Sequence, residues 1–404
     1  MNLMLILFLL LTPLTSESRW TAFRGTGDSH STARNLPLEW SDKKNLAWSV
    51  NLTGYGQSSP VVWGNKIFLT STQGENKERL FVSCFYLKSG KKLWEKKQAA
   101  TYTMKDANTV SKAAPTPAVD ERRVYAFFES GDLFAFDHKG ELLWQRKLAG
   151  EYGAYKTNHG LGSSLALTEQ AVIVFVVHQG HSYLLAVDKK SGRNLWMTDL
   201  AEGGGWTSPI IASHQGSAQI LISVNGRVAA FEAATGRELW SVKGLKGNNI
   251  PSPSIGDDLV VIGSSDKGSN LAIQLGGAGD VSETRVRWRA KEATSSFCSP
   301  LVYKGLVYFV NKVGAVFCLD LKTGEQLWQT RIESDCWASP LAAGDHIYFF
   351  TVEGVTEVFR AGTSPERIAR NELSLNGGRI YGIAAVDSAL LIRCGRRLIK
   401  LSER

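Results

Sequence analysis

The chain has 404 residues, 43% hydrophobic and 21% charged, with 39 glycines and a formal net charge of +8. This balance excludes a disordered polymer, and the absence of any sustained helical period excludes a helix bundle. The basic excess is spread along the chain and is densest at Arg393, Arg396, Arg397, Lys400 and Arg404. Without interleaved aromatic residues it predicts a solvated basic face and no nucleic-acid partner.

Residues 1–18 open with an apolar run, Leu3 to Leu11, ended by Pro13 and followed by Thr15, Ser16 and Ser18. The run is too short to span a bilayer and predicts a signal peptide, although no Lys or Arg precedes it. The protein is therefore expected to be exported, periplasmic or extracellular, and not membrane-spanning. No Cys follows the run until Cys84, so a lipid anchor is not expected. Residues 19–44 form an extended lead-in pinned by Trp20, Phe23 and Trp40, and Asn45 to Leu52, with Trp48, forms a strand standing alone.

From there to the C-terminus one motif recurs, Gly-x-x-Leu-Trp. Its copies begin at Gly90, Gly140, Gly192, Gly236 and Gly324 and end at Trp94, Trp144, Trp196, Trp240 and Trp328. The spacings are 50, 52, 44 and 88 residues, the last being two periods, and Trp288 falls inside that gap without its glycine. A period of this size means stacked supersecondary units that bury their faces against one another. Each unit opens on a Ser-Pro-like step, at Ser58-Ser59-Pro60, Pro115-Thr116-Pro117, Ser163-Ser164, Ser208-Pro209, Ser252-Pro253, Ser299-Pro300 and Ser339-Pro340. Short Val-, Ile- and Phe-rich strands separated by Gly and Asp turns follow. An eighth, degenerate opening at Arg379-Ile380-Tyr381-Gly382 leads to strands that end near Leu401 with no Trp strand.

The spare strand at Trp48 supplies that missing piece. The expected fold is all-β: a single domain, residues 45–404, folded as an eight-bladed propeller of four-stranded antiparallel blades, with the N-terminal strand completing the last blade. Closure of this kind removes the exposed edges of an open array. The repeated Trp48, Trp94, Trp144, Trp196, Trp240, Trp288 and Trp328 are expected to pack blade against blade. Unit seven has Ile368 where Trp is expected, which predicts a looser blade. Asp188, Asp320 and Glu232, each four residues before the turn Gly, are expected to support turns.

The five cysteines, Cys84, Cys298, Cys318, Cys336 and Cys394, include no C-x-x-C and no adjacent pair, so no metal framework is predicted. His178 and His181 lie close in sequence, but two imidazoles without a third ligand are a poor metal signal.

The Ser-Pro strand, the Gly-x-x-Leu-Trp turn and the opening Trp20-x-x-Phe23-Arg24-Gly25 resemble the pyrroloquinoline-quinone-type (PQQ-like) propeller repeat. The chain is similar in this to exported members from planctomycete-type bacteria, and to the propeller of outer-membrane barrel assembly. The resemblance covers nearly everything from Trp20 to Leu401 and implies the fold more than the chemistry. Its quinoprotein dehydrogenase branch implies PQQ and calcium in a central funnel, with an adjacent Cys-Cys disulfide and long insertions. This sequence has neither, so no cofactor is expected.

A propeller gathers the segments that lead into its innermost strands at one mouth of the channel. Here those segments carry non-repeating residues: Gln57, Lys112, Asn158, His159, Trp206, Asn249, Phe297, Asp335, Trp337, Arg379 and Tyr381, with Tyr55 and Asn248 beside them. Aromatic rings, amides and cations converging on one mouth suit an envelope protein, a peptide or a glycan. The sequence reading is thus an exported, monomeric, non-catalytic propeller acting as a protein- or polymer-binding scaffold. A quinone-dependent dehydrogenase with an atypical site and a polysaccharide-active enzyme using the funnel stand as alternatives. The second of these is short of carboxylates, since only Asp335 stands at the mouth.

Overall fold

A computed structural model describes residues 18–33, 35–105, 110–248 and 250–403. The expected signal peptide, apart from Ser18, lies outside them, as do Asn249 and Arg404. The described chain is almost entirely β, with one short helix, Leu148–Tyr152. Eight antiparallel four-stranded blades form a ring. Blade 1 runs Val61–Trp63, Lys66–Gln73, Arg79–Tyr86 and Lys92–Ala99, and each following blade repeats this order from the axis outward. Blade 8 takes three strands from the C-terminus, Ile380–Val386, Ala389–Cys394 and Arg397–Ser402, and its fourth, Leu46–Asn51, from the N-terminus.

Position in the blade explains the sequence pattern of each strand. The second and third strands are covered on both faces by neighbouring blades, so Ala171–Val176 is apolar throughout and buried throughout. The outer strand is covered on one face only, and Asn194–Leu200 alternates between exposed and half-buried residues.

The glycine and tryptophan of the repeat prove to be two halves of one contact between blades. A Cβ on Gly236 would lie 2.4 Å from Trp196 Cε3, and one on Gly324 would lie 2.5 Å from Trp288. Gly90, Gly140 and Gly192 sit under Trp48, Trp94 and Trp144 in the same way. The indole N–H then donates to a carbonyl of the turn it covers: Trp48 to Leu87 O (3.2 Å), Trp144 to Lys189 O (3.0 Å), Trp196 to Ala233 O (3.1 Å) and Trp288 to Leu321 O (2.8 Å). Each of these glycines also holds a positive φ, near +70 to +90°, which only glycine adopts freely. Trp240 departs from the rule and donates to Gln219 Oε1 within its own blade (3.1 Å). Blade 5 sends Gly279–Asp280 alongside Trp240 and Ser241 as a short parallel strand, where other blades present their glycine turn.

Strand register corrects the reading of unit seven. Trp94, Trp144, Trp196, Trp240, Trp288 and Trp328 pair with Cys84, Ala135, Ala186, Ala230, Ala272 and Cys318, small residues that leave room for the indole. In blade 7 the equivalent pair is Ala369 with Val358, so Ala369, not Ile368, holds the Trp position. The blade is not left short of an aromatic ring, because Trp40 of the lead-in is buried beside it and stacks on Tyr348. Trp40 N–H donates to Asn371 Oδ1 (2.7 Å), and Asn371 Nδ2 donates back to Leu38 O (2.8 Å).

The earlier part of the lead-in crosses the central channel. Arg19–Trp20 pairs with the innermost strand of blade 1, Val119 N–H of blade 2 donates to Thr21 O, and His30–Ser31 runs parallel to the innermost strand of blade 7. Arg24 reaches blade 5 at Ser252–Ser254, and Ser31 Oγ donates to Ala385 O of blade 8. An extended lead-in was legible, but its role as a plug held by most of the ring was not.

The Ser-Pro openings also have a shared role. Around the axis Ser59 N–H donates to Thr116 Oγ1, Thr116 N–H to Ser164 Oγ, Ser164 N–H to Ser208 Oγ and Ser208 N–H to Ser252 Oγ. The ladder continues to Ser299 and ends at Ser339, with donor–acceptor distances of 2.8 to 3.1 Å throughout. Gly382 stands at the eighth position, and a Cβ there would meet Ser59 Cα at 2.5 Å. The ladder therefore has one gap, where the two ends of the chain meet.

Candidate functional site

The segments that enter the innermost strands do not contribute equally to the mouth. Five of them form one continuous arc over blades 6, 7, 8, 1 and 2. Phe297 lies 5.7 Å from Trp337 between ring centroids, Trp337 lies 5.6 Å from Tyr381, and Tyr381 lies 6.0 Å edge-on from Tyr55. The hydroxyls of Tyr55 and Tyr381 share a hydrogen bond of 2.7 Å. Cations cap this row from both sides, with Arg379 5.1 Å from the Trp337 ring and Lys112 Nζ 5.1 Å from the Tyr55 ring. The four rings are half-buried, so they are fixed in place while keeping a face toward solvent.

Backbone geometry holds these groups where the sequence puts them. Gln57 N–H donates to Lys112 O (3.0 Å), and Lys112 N–H donates to Gln57 Oε1 (2.9 Å), which ties blade 1 to blade 2 at the rim. Gln57 is therefore a brace of the arc. Trp337 Nε1–H donates to Asp335 Oδ2 (2.9 Å), so this carboxylate orients an aromatic ring. Burial and the Tyr381 hydroxyl push the Tyr55 phenol far above its ordinary range, so it stays neutral and serves as a hydrogen-bonding group only.

The remaining predicted residues lie apart from this arc. Asn158 and His159 are exposed on the blade 3 segment, which reaches the arc's end through the Ser111 N–H to His159 O bond (2.7 Å). Trp206 of blade 4 covers Gly162 of blade 3, where a Cβ would lie 2.7 Å from the indole, so its ring spends one face on packing. Asn249 falls outside the described residues.

Two buried features under the mouth escaped sequence reasoning. Lys77 and Glu129, each about 5% exposed or less, form an ion pair of 3.3 Å below the Lys112 segment. Lys77 Nζ also donates to Ser111 O (2.7 Å), and Glu129 accepts the Ala113 N–H (3.0 Å), so the pair clamps the loop from Ser111 to Ala113. Burial raises the Glu129 carboxyl above its usual range, against the pull of Lys77. Arg393, expected on a basic face, is completely buried between blades 8 and 1. It donates to Gly395 O (2.8 Å) and Thr70 O (3.1 Å), and Gly56 has no side chain because the guanidinium occupies that space. Its neighbours in sequence divide between exposed Arg396 and half-buried Arg397 and Lys400, so the C-terminal cluster is not one surface patch.

His178 and His181 do not converge. His178 is buried with Nδ1 accepting the Lys156 N–H (3.2 Å), while His181 pairs with Asp199 on the surface (2.8 Å). Among the described residues no three His, Cys, Asp or Glu side chains are placed to share a metal ion. All five cysteines are free and buried, and burial pushes Cys84, Cys298 and Cys318 up to about 12, which keeps them unreactive thiols.

The ring, its glycine–tryptophan contacts and the closing strand define an eight-bladed propeller of the PQQ-like repeat class. A family model described as "Outer membrane protein assembly factor BamB" matches residues 31–155 and 155–361, and the chain belongs to that family. BamB of Moranella endobia (strain PCIT) is 23% identical over 347 residues, 84% of this chain and 80% of its own length. BamB of Burkholderia pseudomallei (strain K96243) is 30% identical over 142 residues, 34% of each chain. Among solved structures, BamB from Moraxella catarrhalis superposes with a TM-score of 0.65 at 16% identity, covering 88% of this chain and 99% of its own. A europium-containing methanol dehydrogenase superposes with a TM-score of 0.70 at 11% identity, covering 94% of this chain and 90% of its own. At these identities the superpositions show the fold alone, which the assembly factor and the dehydrogenase share.

Proposed function

We propose that this protein is an exported, non-catalytic, monomeric propeller that binds a polypeptide partner in the assembly of outer-membrane proteins. The partner would dock across the arc of Phe297, Trp337, Tyr381 and Tyr55. Membership in the assembly-factor family supports the process, and the arc carries the assignment of the surface. Half-buried rings capped by Arg379 and Lys112 offer an extended peptide apolar area together with charged ends. Among the described residues of the arc Asp335 is the one carboxylate, and it is engaged by Trp337, which does not suit the paired carboxylates of glycoside hydrolysis.

We infer that the axis of the ring holds no tricarboxylic quinone with a calcium ion. Trp20, Phe23 and Arg24 of the lead-in stand beside the innermost residues Ser59, Ser339 and Gly382, and among the described residues no three His, Cys, Asp or Glu side chains gather there. Our reading therefore includes no resident cofactor.

The test is photo-crosslinking in the native cell, with a benzoylphenylalanine placed at position 337 or 381 and, as a control, at the exposed outer turn residue Lys190. Capture of an outer-membrane assembly protein from the mouth positions alone is expected. Capture of that protein from the control position alone would move the docking surface to the ring's rim. Tight stoichiometric binding of PQQ with calcium by calorimetry would overturn the non-catalytic reading.

A further inference from the structure

The Trp20-x-x-Phe23-Arg24-Gly25 opening is not used by the mouth, and its arginine has an unusual environment. Arg24 is 4% exposed. Its Nη1 donates to Pro253 O (3.2 Å) and Ser252 O (3.4 Å), and its Nη2 to Ser254 Oγ (2.9 Å) and Gly27 O. Every one of these acceptors is neutral, and among the described residues no carboxylate forms an ion pair with it. Asp28, the nearest acid acting on it, is about one-third exposed and turned to Thr26 and His30. Burial draws the guanidinium down to about 10, which leaves it charged at neutral pH. A buried, uncompensated charge is costly unless a counter-charge accompanies it.

A small void lies beside this side chain, walled by Trp20, Arg24, Ser59, Ser339, Tyr381 and Gly382. It stands at the gap in the serine ladder, where Gly382 brings no hydroxyl. Two buried N–H groups of its walls, Arg24 Nε and Trp20 Nε1, have no acceptor within the protein. The space suits about one particle of water or halide size.

We propose that this axial void binds a small monovalent inorganic anion, chloride under physiological conditions, as the counter-ion of Arg24. The anion accepts from Arg24 Nε–H and Trp20 Nε1–H and links the lead-in to the first and last blades. Water would satisfy the two donors but would leave the charge uncompensated, which favours the anion. The inference does not depend on the partner bound at the mouth.

The experiment compares the mature protein's Tm in sodium chloride and in sodium gluconate at equal ionic strength, and soaks crystals in bromide. The Tm should be higher in chloride by roughly 2 °C or more, with an anomalous bromide peak beside Arg24. Trp20→Phe, which removes one donor and keeps the ring, should shrink the chloride shift, and Arg24→Gln should abolish it. If Arg24→Gln does not fold, Trp20→Phe and the bromide peak decide the matter. Equal Tm values in the two salts with no bromide peak, or a chloride shift unchanged in Trp20→Phe, would overturn the proposal.

Discussion

Trp40 stacks on Tyr348 with ring centroids 6.4 Å apart and planes 18° from parallel. Tyr348 pairs with Val358, the position that Tyr125 and Tyr308 occupy beside Trp144 and Trp328 in blades 2 and 6. The lead-in thus supplies from 329 residues away the indole that blade 7 lacks at Ala369. Trp40→Ala should cost about 3–5 kcal/mol, read from urea unfolding, with faster amide exchange in Arg367–Glu372. Adding Ala369→Trp with Val358→Ala should recover part of the loss. A cost under about 1 kcal/mol would make the stacking incidental.

The glycine of the repeat carries two constraints, and a pair of substitutions separates them. Gly236→Ala puts a methyl against Trp196 at a φ of +73°, whereas Gly216→Ala meets no atom within 4 Å at a φ of +78°. Gly216→Ala should cost about 1 kcal/mol from backbone strain alone. Gly236→Ala should cost about 2–4 kcal/mol, because the indole must also move. Equal costs would mean that the indole does not press on the turn.

The mouth and the blade contacts should separate in the same way. Trp337→Ala removes the centre of the arc and should weaken partner binding by roughly tenfold or more, measured by calorimetry once the partner is in hand, with a modest change in Tm. Trp196→Ala should do the reverse, costing about 3–5 kcal/mol while leaving the mouth intact. Trp206→Ala should affect both, since that ring covers Gly162 and stands at the blade 4 segment. Loss of folding in Trp337→Ala would reassign its ring to packing.

Acid should destabilise the ring partly through His178. Burial holds its imidazole below the ordinary range, aided by the His181 and Lys156 charges and opposed by a hydrogen bond with the His181 backbone and by Glu202. The unfolded chain takes up this proton near pH 6.5 and the folded chain only at lower pH, so stability falls as pH drops below about 6.5. His181 runs the other way, because Asp199 raises it and its contribution fades as pH rises through that raised value. His178→Asn should flatten the loss of the urea midpoint between about pH 6.5 and 5. An unchanged slope would place the acid sensitivity elsewhere, with His138 and His346 next in line.

What the sequence made legible was whatever repeats. Gly-x-x-Leu-Trp announced the blade count, the closing strand and the tryptophan contacts because one physical demand recurs in every unit. The Ser-Pro openings were equally visible, yet their ladder was not, since a hydroxyl's partner on the next blade leaves no local mark. Contacts made once were hidden: Trp40 on Tyr348, Lys77 with Glu129, and Arg393 inside the blade 8–1 seam. Ile368 falls one residue short of the Trp position because unit seven has Pro365 where other units have the turn Gly, which leaves nothing to count from. Of the mouth candidates, those on five of the eight segments meet in one arc, and only loop geometry could have said which five.

The strand Leu46–Asn51 pairs with Arg397–Ser402, so the last hydrogen bonds of the ring join residues some 350 positions apart. This strand precedes every blade in the chain and must wait for the final one, while the edge of each newly finished blade stays unpaired. Contacts of such long range make closure the slow step, and a chain stopped short in blade 8 presents two sticky edges instead of none. The interval before the two ends meet is therefore the moment when this protein most needs a chaperone.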